Sequence, residues 1–337
     1  MATIRGVNLG GWFVLESWIK PELFKGTKDC FDETCFMQQQ KEAKQKLFKH
    51  YETFITEDDF IYLNSIGVKD VRLPLPWWFV GTDLYLSCRS YVHQAFKWAK
   101  NHHINILVDL HTAPGCQNGF DNGGIKGVME WHKDKKNIKL TIESLEKIVN
   151  EFHLYESFYG IEVLNEPFVS IDLDIILDFY ERAYKSIRAI TSKPIVFHDA
   201  FRPIDEKFKT FFKDKENVMF DLHLYHCFDD KLDNEPLEKH IDLILEKRLP
   251  MIKSISEYVK VIIGEWSLGL REQAYIDQFN EMLVTRALAD VQLYAYEHAF
   301  GYYFWNYKIE RESHLNWDFK RLIKSGIMPN RYDLDIK

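Results

Sequence analysis

The chain has 337 residues and a net charge of −8, with no clustered basic stretch, so a nucleic-acid partner is not expected. No apolar run approaches the ~18 residues that a membrane span needs. Hydrophobic residues make up 46%, ample for a globular core, and the five cysteines lack paired Cys-x-x-Cys spacing, which argues against structural zinc.

The N-terminus runs from Met1-Ala2-Thr3 straight into Ile4-Arg5-Gly6-Val7, without a signal-peptide pattern. The expectation is a cytoplasmic protein, or a secreted one if a leader has been removed. Cys30 and Cys35 are close enough to bridge a loop, but mostly free thiols in a reducing compartment is the preferred reading.

Short runs rich in β-branched and aromatic residues recur along the whole chain. In order they are 4–9, 68–75, 104–110, 160–164, 194–198, 218–224, 259–264 and 301–305. Amphipathic stretches lie between them, at 57–66, 90–102, 140–152, 173–190, 236–258 and 272–297. On the first of these, Phe60, Leu63 and Ile66 share a face. Strand and helix alternating through eight units predict a parallel α/β sheet, and this length favours a closed (β/α)8 TIM barrel. No Gly-x-Gly-x-x-Gly follows the first strand, against a dinucleotide fold. No linker or repeat marks a second domain, so residues 1–337 are expected to form one. The segment 18–53 is the largest insertion.

A barrel places its chemistry at the C-terminal ends of its strands. Those ends carry Asn8 and, shortly after, Glu16; Arg72; Asp109 and His111; Asn165 and Glu166; His223, Tyr225 and His226; Glu265 and Trp266; and Trp305 and Asn306. Each alone has a plain structural explanation, since strand ends often cap the next helix. Together they put carboxylates, imidazoles and aromatics on one face. Glu166 sits where a buried strand ends, in Leu164-Asn165-Glu166-Pro167. A charge buried there must be paired or take up a proton, and a proton-holding carboxyl is what a general acid needs. Glu265 ends the seventh strand, across the mouth from Glu166. Two carboxyls flanking a bond are the equipment of glycoside hydrolysis. A divalent ion held by Glu166, Glu265, His111 and His223 is the competing use, but the surrounding Trp and Tyr favour a sugar. No metal or other cofactor is expected.

Longer motifs extend this pattern. They are Gly6-Val7-Asn8-Leu9-Gly10-Gly11-Trp12, Glu16 to Phe24, Val71-Arg72-Leu73-Pro74, Asp109-Leu110-His111, Gly115 to Asn122, Gly264-Glu265-Trp266-Ser267, Phe304-Trp305-Asn306 and Asn316-Trp317-Asp318-Phe319. With Leu164 to Pro167 they make the chain resemble glycoside hydrolase family 5, of the retaining (β/α)8 clan. The similarity is greatest to the branch of exo-β-1,3-glucanases and related β-glucosidases, and it covers nearly the whole chain.

The resemblance implies Glu166 as acid/base and Glu265 as nucleophile, positioned by Arg72 and Asn165. It implies that His111, His223 and Tyr225 line the subsite of the cleaved sugar, with Trp305 as its floor. Glu16, Asp121 and Asn122 would bind the outer hydroxyls and make the pocket blind. Phe120 and Phe228 match a pair of aromatics that clamp the next sugar. His226 and Cys227 depart from the polar residues of those relatives.

The substrate so implied is a β-glucoside or β-glucan oligosaccharide, cleaved from the non-reducing end with retention. Arg72 and Tyr225 are expected to keep Glu265 ionised, and the charge of Glu265 to raise the pKa of Glu166. Rival readings are an endo-acting β-glucanase, an intracellular β-glucosidase of glycolipid, aryl or disaccharide glycosides, and a non-catalytic carbohydrate-binding barrel. Arg271 and Lys308 are candidate phosphate contacts should the substrate be a phosphorylated disaccharide.

Overall fold

The computed structural model describes residues 3–275 and 280–334. Eight parallel strands close into a barrel in sequence order: β1 (Ile4–Asn8), β2 (Asp70–Leu75), β3 (Asn105–Leu110), β4 (Phe158–Glu162), β5 (Ile195–His198), β6 (Val218–His223), β7 (Lys260–Trp266) and β8 (Gly301–Phe304). β1 pairs with β8, with Val7 opposite Phe304, so the sheet has no edge. All eight expected strands form.

Inside the barrel, Ile4, Leu107, Val196, Met219, Ile262 and Tyr303 make a small apolar plug, separate from the large core between strands and helices. That plug fills one end of the barrel, and the polar side chains of the other end stand on it.

The outer ring contains α3 (Glu57–Ser65), α4 (Arg89–Asn101), α5 (Lys135–Phe152), α6 (Leu173–Arg188), α7 (Glu206–Phe212), α8 (Leu237–Asp242), α9 (Leu249–Ser256), α10 (Glu281–Tyr296) and α11 (Phe319–Lys324). The segment between β1 and α3 adds α1 (Glu33–Gln39) and α2 (Ala43–Thr53). Local chemistry sets the starts. Asp134, Asp172, Asp205 and Asn280 each accept a hydrogen bond from the backbone of the helix they cap, and Thr56 with Asp59 forms a reciprocal box.

Two readings need correction. The stretch 236–258 is helical throughout but contains a π turn at Leu243–Arg248. Pro250 follows it and has no amide to give to the carbonyl four residues back. The stretch 272–297 is not one helix: a 3-10 turn covers Glu272–Tyr275 and α10 starts at its Asn280 cap. Helix α7 has seven residues, too few for its periodicity to stand out.

Cys30 and Cys35 form a disulfide, whereas Cys88, Cys116 and Cys227 are buried free thiols, so the expectation of free thiols holds for these three. Among the described residues no helix is long and apolar enough to cross a membrane.

Candidate active site

The site is organised by Arg72, fully buried on β2. Its Nε donates to Glu162 at 2.8 Å. Its Nη1 donates to Asn8 at 3.0 Å and to Glu265 Oε1 at 2.8 Å. Its Nη2 donates to Asn165 Oδ1 at 2.8 Å and lies 3.2 Å from Asp109. Burial alone would lower the pKa of this guanidinium, but Asp109, Glu162 and Glu265 outweigh it and raise the pKa well above its usual value. One cation thus ties β1, β2, β3, β4 and β7 together.

Glu265 lies opposite His223 in the β6–β7 register, beside an irregularity that shifts the pairing there. Its Oε2 accepts from the Tyr225 hydroxyl at 2.8 Å. Gly264 just before it is obligatory: its amide donates to Asp221 at 2.5 Å, and a Cβ at that position would stand 1.9 Å from the Asp221 carboxylate.

Glu166 lies beyond the regular part of β4, which ends at Glu162, two residues earlier than the sequence pattern suggests. The chain stays on the ladder, because Val163 N donates to Val196 O at 3.1 Å and Asn165 N to Leu110 O at 2.9 Å. Glu166 itself has φ 46°, a left-handed conformation that costs a non-glycine residue about 1–3 kcal/mol and is concentrated at functional sites. Gln117 locks the turn by donating to the carbonyls of His111 and Asn165, both at 2.9 Å.

His223 bridges the two glutamates. Its Nδ1 lies 2.8 Å from Glu166 Oε1 and 3.4 Å from Glu265 Oε2, and its Nε2 lies 3.4 Å from Asp221. The nearest carboxylate oxygens therefore cannot be further apart than those first two lengths laid end to end. That is less than the roughly 6.5 Å at which inverting glycosidase geometry begins.

The expected order of acidities is reversed here. Burial raises the Glu166 pKa, but the hydrogen bond and charge of His223 outweigh it, so Glu166 lies below the usual carboxylate value. Glu265 lies above that value, because burial exceeds the pull of His223 and Arg72. Burial alone would strip the proton from His223, but Glu265 and Asp221 raise its pKa well above normal. The proton assigned to Glu166 from sequence is thus held on its imidazole partner.

The other expected residues fall around a cavity of about 830 Å³. Glu16, Phe120, Asp121, Asn122, Tyr225, Phe228 and Trp305 all line it. Glu16 accepts from Trp18 Nε1 at 2.9 Å and leaves its other oxygen buried without a partner. Burial and then the charge of Asp121 push its pKa well up. Asn122 donates to Glu166 Oε2 at 2.9 Å, so it serves the carboxylate as well as the wall. His111 donates Nδ1–H to Asp109 at 2.5 Å and stacks on Trp305, with ring centroids 5.5 Å apart and planes 4° apart. His111 Nε2 and Asn165 Nδ2 are buried without protein partners, two polar atoms free to meet a ligand.

Every strand except β2 sends residues of its end or following loop into the cavity lining. Trp18 from the β1 loop meets Trp317 from the β8 loop edge-on at 5.4 Å, and Trp317 lies 5.9 Å from Phe228 of the β6 loop. These contacts line one flank of the cavity with aromatic rings.

Some readings do not survive. Lys308 is tied to Asp59 at 2.6 Å and is absent from the lining, so it is not a phosphate contact. Arg271 lines the cavity but pairs with Asp233 at 3.1 Å. His226 turns away to Arg248 at 2.7 Å and His240 at 3.0 Å. Sequence reasoning missed Glu162 and Asp221. Their signal was a lone carboxylate inside an otherwise apolar strand.

Residues 32–311 match the sequence model of the family described as cellulase (glycosyl hydrolase family 5). The chain is 32% identical to glucan 1,3-beta-glucosidase 2 of Wickerhamomyces anomalus, over 97% of this chain and 88% of that protein. It is also 32% identical to the glucan 1,3-beta-glucosidase of Candida oleophila, with the same coverage. Among solved structures, a rutinosidase from Aspergillus niger superposes with a TM-score of 0.84 at 20% identity, covering 97% of this chain and 98% of that one, a likeness of fold.

Proposed function

Because the chain belongs to glycosyl hydrolase family 5 and is a glycoside hydrolase, we propose that it is a retaining exo-β-glucosidase or exo-β-1,3-glucanase, with Glu166 as acid/base and Glu265 as nucleophile. The observation that supports this reading is His223 Nδ1 in reach of both carboxyls, which keeps their nearest oxygens closer than the spacing of inverting glycosidases. The relatives' glucan 1,3-beta-glucosidase activity supports the substrate class.

The terminal glucose sits at the inner end, on Trp305. Its hydroxyls meet Glu16, Asp121 and the free Nε2 of His111, and Asn165 Nδ2 donates to the 2-hydroxyl. Glu265, aligned by Arg72 and Tyr225, attacks the anomeric carbon. The His223 proton passes along its 2.8 Å bond to Glu166, which delivers it to the leaving oxygen. Loss of the Glu265 charge on glycosylation then weakens the hold on protons in the site, and Glu166 deprotonates water for the second displacement.

The test is incubation with β-1,3-gluco-oligosaccharides and 4-nitrophenyl β-glucoside, with products followed by NMR. Single glucose units released first as the β-anomer are expected. A first-formed α-anomer, or internal fragments from the oligosaccharides, overturns the reading.

A further inference from the structure

Arg248 lines the cavity and is 9% exposed, yet among the described residues no carboxylate forms an ion pair with it. A buried cation without a counter-ion is costly, and burial pulls its pKa below the ordinary value. It ends the π turn Leu243–Arg248, a distortion that is frequent at functional sites. Its Nη1 donates to Leu224 O at 3.2 Å and to His226 Nε2 at 2.7 Å, and its Nη2 donates to Tyr225 O. A guanidinium can only donate, so His226 is neutral, with its proton on the Nδ1 that faces His240 at 3.0 Å. Strand β6 ends at His223, and Leu224 N still donates to Glu265 O at 3.0 Å. Past that bond, the carbonyls of Leu224 and Tyr225 accept from no backbone amide among the described residues, and the guanidinium takes both. On its other side the Tyr225 ring packs against Phe228 at 5.2 Å and Trp317 at 5.4 Å, and its hydroxyl donates to Glu265 Oε2 at 2.8 Å. Arg72 holds the other oxygen, Oε1. Two donors thus set the rotation of the Glu265 carboxylate, and one of them hangs on backbone that Arg248 pins.

We propose that Arg248 is a positioning residue: by gripping these two carbonyls it holds the Tyr225 hydroxyl on Glu265 and so orients the nucleophile, an inference that rests on the glucosidase reading. The test is a double-mutant cycle on the full-length protein with 4-nitrophenyl β-glucoside. Arg248→Lys keeps the charge but lacks the planar fork that spans both carbonyls, and Arg248→Gln gives up the charge as well. Each is expected to lower kcat about tenfold with KM within about threefold of wild type, because the nucleophile is misaligned while the contacts to the sugar remain. Tyr225→Phe should lower kcat at least as far. In that background either Arg248 substitution should cost less than about twofold more, since the hydroxyl it positions is gone. Unchanged kcat in both Arg248 variants, a loss confined to KM, or losses that multiply in the double variants overturns the inference while leaving the glucosidase reading intact. So does loss of the folded circular dichroism spectrum in both, which would make Arg248 a residue of the fold alone. A wild type that leaves 4-nitrophenyl β-glucoside uncleaved overturns both.

Discussion

His223 and Glu166 share a 2.8 Å hydrogen bond, and the same imidazole nitrogen lies 3.4 Å from Glu265. The two glutamates are thus coupled through a third titrating group. Removing the imidazole in His223→Gln takes away the positive charge that favours ionised carboxylates. The acidic limb of the pH profile of kcat/KM, which follows ionisation of Glu265, should then move to higher pH, with kcat reduced about 10²-fold or more. A profile that stays in place or moves to lower pH counts against this coupling.

Glu265→Ala should lower kcat about 10⁴-fold or more while the circular dichroism spectrum and melting temperature stay near wild type. Added azide should restore turnover and give the α-glucosyl azide, because the small anion enters from the side the carboxylate vacates. Near-normal turnover without azide would sink the nucleophile assignment.

Glu166→Ala should cost alkyl β-glucosides about 10²–10⁴-fold and 2,4-dinitrophenyl β-glucoside far less, since a good leaving group needs no proton. Equal losses on the two substrates would show that Glu166 is not the acid.

Gly264→Ala drives a methyl group into the Asp221 carboxylate. The expected cost is roughly 2–3 kcal/mol of stability, with kcat falling because Glu265 is the next residue. A melting temperature equal to wild type would mean that the strand can shift there freely.

Stability should also depend on pH. Burial raises the Glu33 carboxyl to about 8, against hydrogen bonds from Leu15 N and Trp78 Nε1 that lower it. Asp199 is raised to about 7 and Asp70 to about 6, again chiefly by burial. The folded state therefore holds more protons than the unfolded chain above the ordinary carboxylate pKa. This contribution is complete below about pH 4 and is lost as pH rises through 6 to 8. Melting temperature should fall from pH 7 to pH 9, above the range in which the buried histidines His50, His198 and His226 act in the opposite sense, and the fall should be shallower in Glu33→Gln. An identical slope in the variant would show that Glu33 does not titrate in this range.

Much of this was legible in the chain itself. The barrel followed from eight apolar runs separated by amphipathic stretches, because a strand buried on both faces must be apolar throughout. Arg72, His111, Glu166, His223 and Glu265 were found because polar residues at strand ends are conspicuous against such runs. Boundaries were less legible where one residue decided them, as Pro250 did for the π turn and Asn280 for the start of α10.

By itself, then, the sequence determined the fold class, the two glutamates and the ring of polar strand ends, since these rest on local pattern and spacing. Only the tertiary structure decided which groups share a proton. The acidity of Glu166 depends on an imidazole 57 positions away and on carboxylates from other strands, and such sums of distance and burial exist only once the barrel has closed. The same holds for the grip of Arg248 on the carbonyls of Leu224 and Tyr225, which lie 24 and 23 positions before it.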